Sequence, residues 1–391
     1  MLSSPLGHAE TKPVAPAPDV AVYFDYATAA PLRPAVRAGL KELLDLPQVD
    51  PSRPFDDALV IRDLIEQARN SIAHLAGVEA RSVTFMSSIA EAALTAYSSL
   101  EARSVPIITS AAERLSLLEH AAAISTVHQV QLDEQGRIDL DHLAATAGQF
   151  RGSIIVAQHA NQEIGVINDI EAIFDIAEET DASVICDETL TFGRSIERPK
   201  RSAFRIVSAE LLGGPLGSVA LIHQGDLRVK AQLLGGAQER GRRSGLENHL
   251  GIIGFGLAAD CLADLQQREV EDQSARRFCQ SIDQMLLASG LGHRLASQQV
   301  PTLGYLSSYV TPGFEASAVA MALNRSGVAV HAGSACSGED PLPSATHQAL
   351  GYDGLHSLRI SVGWATTDHD VSVLGTALDA VALSLGSLKT H

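Results

Sequence analysis

Between residues 83 and 222 short apolar runs alternate with helix-patterned stretches, and this alternation limits the possible folds more than any other feature of the chain. Residues 83–86 (VTFM) read as a buried strand that opens into a helix over 89–100. Further strands are predicted at 106–110, 127–132, 153–157 and 183–187, with a helix at 170–179 between the last two. The run ending at Val207, the Gly213-Gly214-Pro215 turn and the run 219–222 read as strand, turn, strand. Strands that alternate with helices need a mostly parallel sheet covered on both faces, so the fold class is α/β. The 391 residues allow a large domain of this kind and a smaller partner.

Upstream, the apolar spacing of Leu64, Ile65, Ala68, Ile72 and Leu75, closed by Gly77, predicts an amphipathic helix over 62–75. Downstream, 251–287 reads as one long helical stretch that joins the two domains and packs Cys261 and Cys279. Strands at 302–309 and 328–331 belong to the smaller domain. The expected division is a mobile Pro/Ala/Ser-rich tail at 1–19, a large domain at 33–265, and a small α+β domain made of 20–32 and 266–391. A net charge of -17 argues against nucleic acid or an anionic membrane as partner. The four cysteines, Cys186, Cys261, Cys279 and Cys336, show neither C-x-x-C pairing nor zinc-ligand spacing, so no metal site is expected and a reducing cytoplasm is the predicted location. No run is long enough to span a bilayer, and no secretory signal is read at the N-terminus.

Seven stretches stand out: Asp25-Tyr26-Ala27-Thr28-Ala29-Ala30-Pro31-Leu32, Ser87-Ser88-Ile89-Ala90-Glu91, His159-Ala160-Asn161-Gln162-Glu163-Ile164-Gly165, Ser208 to Gly217, Gly235 to Gly245, Gly333-Ser334-Ala335-Cys336 and Leu358 to Gly363. Together they resemble the cysteine desulfurases, a branch of the class V aminotransferases. The resemblance implies the type I fold of pyridoxal phosphate (PLP) dependent transferases. It also implies a homodimer through the loop from Gln238 to Gly245, and a sulfur acceptor or scaffold protein as a further partner. It assigns Asp187 to the pyridinium nitrogen of PLP, Gln162 to its phenolic oxygen and Ser208 to the cofactor site. Arg359 is assigned to a substrate carboxylate and Cys336 to the catalytic nucleophile. From the residues alone, Asp187 reads equally as a carboxylate capping the turn after a strand, Arg359 also reads as an ion-pair partner, and Tyr26 reads either as a side chain filling the place a substrate would occupy or as a surface loop residue.

Other assigned positions have changed. The Schiff-base lysine is Leu211, with Glu210 in place of the histidine before it, and the ring-stacking histidine is Arg114. The phosphate-binding threonine is Ala90, and the threonine reaching the partner's phosphate is Leu246. The substrate asparagine is Tyr26, and Leu190 replaces a glutamine. Leucine has no amine and forms no imine. The five lysines are Lys12, Lys41, Lys200, Lys230 and Lys389, and only Lys200 and Lys230 lie near Leu211 in sequence. The expected protein is therefore a degenerate desulfurase homologue that lacks PLP or holds it noncovalently. Its Cys336 is expected to serve as a persulfide carrier or iron–sulfur ligand in sulfur trafficking. One alternative is a sulfurtransferase that binds PLP without a lysine, with Glu210 as base. Another is a non-catalytic partner that dimerises with an active paralogue.

Overall fold

A computed structural model describes residues 22–194, 199–295, 300–333 and 343–388. The expected tail at 1–19 and Cys336 lie outside the described residues. The described residues begin with β1 (Val22–Tyr23) and two helices, α1 (Pro34–Leu44) and α2 (Asp56–Ala76). Pro34 starts α1, where a missing N–H leaves nothing unsatisfied, and Gly77 closes α2 in the left-handed conformation at φ 70°.

The large lobe follows as β2 (Val83–Met86), α3 (Ile89–Ser99), β3 (Ile107–Ser110), α4 (Leu115–Ile124), β4 (Val127–Val130), α5 (Leu140–Gln149), β5 (Ile154–Gln158), α6 (Ile170–Glu179), β6 (Ser183–Asp187), β7 (Phe204–Ser208) and β8 (Val219–His223). These strands form a seven-stranded sheet in the order β2-β8-β7-β6-β5-β3-β4. Only β8 runs antiparallel to its neighbours, β2 and β7, because the tight 209–218 connection turns it straight back. Side chains alternate across the sheet. Ile107, Ile154, Val156, Ile185 and Ile206 meet α3 and α4 on one face. Ile108, Ile155, Ala157, Val184 and Cys186 meet α5 and α6 on the other. Neither face is left to water, so the strands read as continuous apolar runs.

A short helical turn, α7 (Gln238–Gly241), precedes α8 (His249–Cys261), which packs against α2. The contact is backbone-close: a β-carbon on Gly256 would sit 2.4 Å from the Ala68 Cα. Helix α9 (Leu265–Ser289) then leads into the small lobe. The single long helix expected over 251–287 is thus two helices. Asp264 interrupts it, because its carboxylate accepts the Gln266 and Gln267 amides and caps a new N-terminus.

The small lobe contains β9 (His293–Arg294), β10 (Leu306–Val310), α10 (Ala316–Arg325), β11 (Val328–Ala329), β12 (His331–Ala332), α11 (Ala345–Ala349), β13 (Ser357–Ser361) and α12 (Asp368–Leu388). Its antiparallel sheet has the order β12-β13-β10-β9. The strand expected at 328–331 is divided at Val330: β11 pairs with β1, and β12 pairs with β13. Val22 and Phe24 consequently share a hydrophobic cluster with Phe278 and Ile282 of α9 and Leu374 of α12.

Candidate functional site

In an open α/β sheet the crevice beyond the carboxyl ends of the parallel strands is the natural place for a ligand. Here Arg114 follows β3, Gln162 follows β5, Asp187 closes β6 and Ser208 closes β7. Arg359 of β13 reaches the same crevice from the small lobe and donates its Nη1 to the Gln162 carbonyl at 2.8 Å. The fold therefore brings four of the five sequence-predicted site residues together, and the fifth, Cys336, is not among the described residues.

Asp187 is buried and fully engaged. Its Oδ1 accepts the Thr189 amide at 2.9 Å and the Thr189 hydroxyl at 2.6 Å, so it caps the turn after its strand. Its Oδ2 accepts Arg114 Nε at 2.9 Å, and Arg114 Nη2 donates to Thr189 Oγ1 at 2.9 Å. Arg114 thus lies along the carboxylate edge instead of over a ring. Thr189, which this clamp needs, has no counterpart in the sequence reading; its only signal is a hydroxyl two residues past Asp187.

Two further carboxyls face this pair. Glu113 is buried, and burial is the main cause that pushes its pKa up to about 8; Asp187 adds to the rise, while the Gln158 amide and Arg114 oppose it. Glu210 is also held above the ordinary carboxylate range, chiefly by burial, against the pull of its backbone amide, the Ser208 hydroxyl and Arg114. Ser208 itself is wholly buried.

Leu211 sits on the single turn of 3-10 helix Glu210–Leu212, which Gly213 ends at φ 80°. Its side chain is buried in one cluster with Leu190, Ala160 and the small-lobe core. Arginines hold the carbonyls of this turn: Arg194 donates to Leu211, and Arg33 Nε donates to Leu212 at 2.8 Å. Arg33 is in turn clamped on both oxygens of Glu271 in α9, at 2.8 and 2.7 Å. A cavity of about 40 Å³, bordered by Arg33, Arg194, Glu271, Tyr305 and Trp364, adjoins this clamp.

The described lysines are remote from the crevice. Lys200 precedes β7, at the end opposite Ser208, and the Lys230 amide is tied to Ser99 at the C-terminus of α3, the end away from Ser88. Both of these, and Lys41, are exposed.

At the α3 N-terminus Ser88 caps the Glu91 amide at 3.1 Å, and the Glu91 carboxylate turns back onto the Ser87 amide and hydroxyl. Arg243 joins the same carboxylate at 3.2 Å. The hydroxyls that stand near the lost phosphate threonine are therefore committed to capping. Arg359 is buried, with Nη2 on Asp25 at 2.9 Å and on Thr28. Tyr26 is not a surface residue. It is buried, with its ring edge so close to Gly363 that a β-carbon there would lie 2.1 Å away.

The segment 235–245 is folded over α2 and β2. Glu239, at φ 49°, is buried and grips Arg69 at 2.8 and 2.7 Å while accepting the Phe85 amide at 2.8 Å. Leu234 and Leu246 beside it are 84% and 67% exposed. Of the described thiols, burial raises the pKa of Cys186 and Cys261, and pushes Cys279 up to about 12. Among the described residues no His/Cys/Asp/Glu group could hold a metal ion, and no helix is long and apolar enough to cross a membrane.

The fold and its crevice define a class. The Aminotransferase class-V family model matches residues 22–374, and the chain belongs to that family. Within it the chain is similar to cysteine desulfurases. It is 30% identical to "Cysteine desulfurase" of Frankia sp., over 92% of this chain and 90% of that one. It is 29% identical to "Cysteine desulfurase IscS 1" of Archaeoglobus fulgidus, over 94% and 98%. The solved NifS-like protein of Rickettsia africae superposes with a TM-score of 0.83 at 25% identity, covering 92% of this chain and 99% of that one.

PLP is the cofactor of this family. In this chain the residues at its assigned place do not suit it: the lysine position offers no amine, Asp187 is already ion-paired, and the Ser87 and Ser88 hydroxyls at the α3 N-terminus are taken up in capping, which leaves Ser208 as a buried hydroxyl that caps nothing.

Proposed function

We propose that this class V aminotransferase-family protein is a desulfurase-like carrier of sulfur that does not run PLP chemistry. The observation that carries this reading is Leu211, which stands in the place assigned to the lysine and is buried in the apolar core. Cys336 is the proposed working thiol, because burial works against ionisation of all three described cysteines. The step is an exchange. The Cys336 thiolate attacks the outer sulfur of a donor persulfide, the S–S bond breaks, the donor leaves as a thiolate, and Cys336 becomes the persulfide. No outside oxidant is consumed.

The chain's other residues shape the crevice. Asp187, Ser208 and Gln162 belong to the family's cofactor place, and Arg359 braces the small lobe against the Asp25 segment. We propose a homodimer through the 238–245 loop, supported by the exposed Leu234 and Leu246 beside it. The proposed partition is 33–265 against 20–32 with 266–391. It is supported by the cluster that Val22 and Phe24 share with α9 and α12.

The test has two arms on the full-length protein. Borohydride reduction in the presence of PLP, followed by peptide mapping, is expected to yield no lysine adduct; an adduct on a specific lysine would restore the enzyme reading. Incubation with a low-molecular-weight persulfide is expected to add sulfur to the wild type and not to Cys336→Ser. Equal loading of both would remove Cys336 from the proposal and favour a purely dimerising partner.

A further inference from the structure

We infer that Arg114 is a resident counter-ion that has taken over the cation's place at Asp187, so that the crevice admits a cofactor only when Arg114 is removed. The inference rests on the reading that the site does not run PLP chemistry, and it explains how Asp187 is kept as a buried charge without a cofactor.

Asp187 is a carboxylate with 5% side-chain exposure at the end of a central strand. Left without a positive partner it would be a bare buried charge, which is costly in a protein interior. A chain that gives up the cofactor and keeps the aspartate must therefore supply a cation of its own. Arg114 meets the requirement in geometry and chemistry. Its Nε lies 2.9 Å from Asp187 Oδ2, and its Nη2 is fixed 2.9 Å from Thr189 Oγ1. Thr189 also bonds the other Asp187 oxygen, so arginine, aspartate and threonine form one closed ring of hydrogen bonds. Guanidinium is planar and delocalised, as a protonated pyridine ring is, and it does not release its proton in a protein.

Three other replacements point the same way. Leu211 and Leu190 are buried in the hydrophobic cluster that includes the small-lobe core. Glu210 brings a carboxyl group within electrostatic reach of Arg114 and Asp187, where a further anion is unwelcome. Asp187 is thus retained as one half of an internal ion pair, and its retention is no sign of cofactor binding.

The test compares wild type, Arg114→Ala, Arg114→Lys, Asp187→Asn and Arg114→Ala/Asp187→Asn by thermal denaturation, with and without added PLP or pyridoxine. Arg114→Ala is expected to lower the midpoint, and adding Asp187→Asn to regain part of the loss, because the uncompensated charge is gone. PLP or pyridoxine is expected to raise the midpoint of Arg114→Ala and leave that of the wild type unchanged. Half-saturation of the variant should lie about tenfold or more below the highest PLP concentration that leaves the wild type unmoved, the size expected for losing a charge-assisted competitor. Should Arg114→Ala not fold, Arg114→Lys serves instead, since it keeps the charge but loses the fork and is expected to show a smaller loss of the same sign. Additive losses in the double variant would overturn the inference, as would equal PLP response in wild type and Arg114→Ala. Neither result bears on whether Cys336 loads with sulfur. Conversely, failure of that loading leaves the Arg114–Asp187 pairing intact.

Discussion

Replacing Glu239 with alanine tests how the 238–245 loop is held. The Arg69–Glu239 pair is almost fully enclosed, with side-chain exposures of 4% and 3%, and it is bidentate. Breaking a buried pair by removing one partner costs about 3–5 kcal/mol, since the surviving charge stays buried. Two features set where in that range the loss should fall. The Phe85 amide also loses its acceptor, which adds to the cost. Against this, Arg69 keeps the Val83 carbonyl and the half-exposed Glu66 as partners. The expected loss is therefore about 3–4 kcal/mol in urea denaturation followed by circular dichroism. The ion pair itself need not stabilise the fold relative to an apolar one. Arg69→Met/Glu239→Leu should consequently lose less than Glu239→Ala, the remaining penalty being the Phe85 amide. A loss below about 1 kcal/mol for Glu239→Ala, the value of an exposed pair, would refute the reasoning. A double variant less stable than the single one would refute it equally. Glu239 and Arg240 both occupy left-handed backbone, at φ 49° and 60°. Loss of the pair should therefore also release the loop, which is read as weaker self-association in analytical ultracentrifugation.

Two further outcomes follow from the crevice. Leu211→Lys places an amine in an apolar cluster and should destabilise the fold by about 2–4 kcal/mol, without giving a borohydride-trapped PLP adduct while Arg114 remains; a stoichiometric adduct would contradict this. Glu113 carries a pKa of about 8 in the fold against an ordinary 4.5, so the native state holds a proton that the unfolded chain releases. Its contribution is fully present below pH 4.5 and is lost as pH rises toward 8; Glu113→Gln should remove this fall, up to about 1.4 kcal/mol per pH unit, and an unchanged pH profile would count against it.

The β–α alternation was legible because buried parallel strands leave continuous apolar runs, and the reversal of β8 was legible in the Gly213-Gly214-Pro215 turn. Sheet order was not, since nothing local to β3 says that it lies between β4 and β5. Nor was the break at Asp264, where one side-chain cap outweighs a helical pattern on both sides. At the site, a single position of the resemblance, Leu211, carries the proposal that the lysine is replaced. The same comparison showed that Arg114 had changed but left its destination open, because its partner Asp187 lies 73 residues further along the chain. The histidine it replaces is a ring-stacking residue, and a guanidinium can stack on an aromatic face too. The fold gives it a carboxylate edge to bind.

The pairing of β1 with β11 has a consequence for how the protein is made. Val22 meets Val328, and the Ser361 amide bonds the Phe24 carbonyl, so the first strand finds its partners only after some 300 residues have been synthesised. At about 5–20 residues per second, the ribosome needs on the order of 15–60 s to deliver them. During that interval the large lobe can complete its sheet while Val22 and Phe24 remain without their core. The small lobe therefore closes only once β13 has been made, around a segment synthesised long before it.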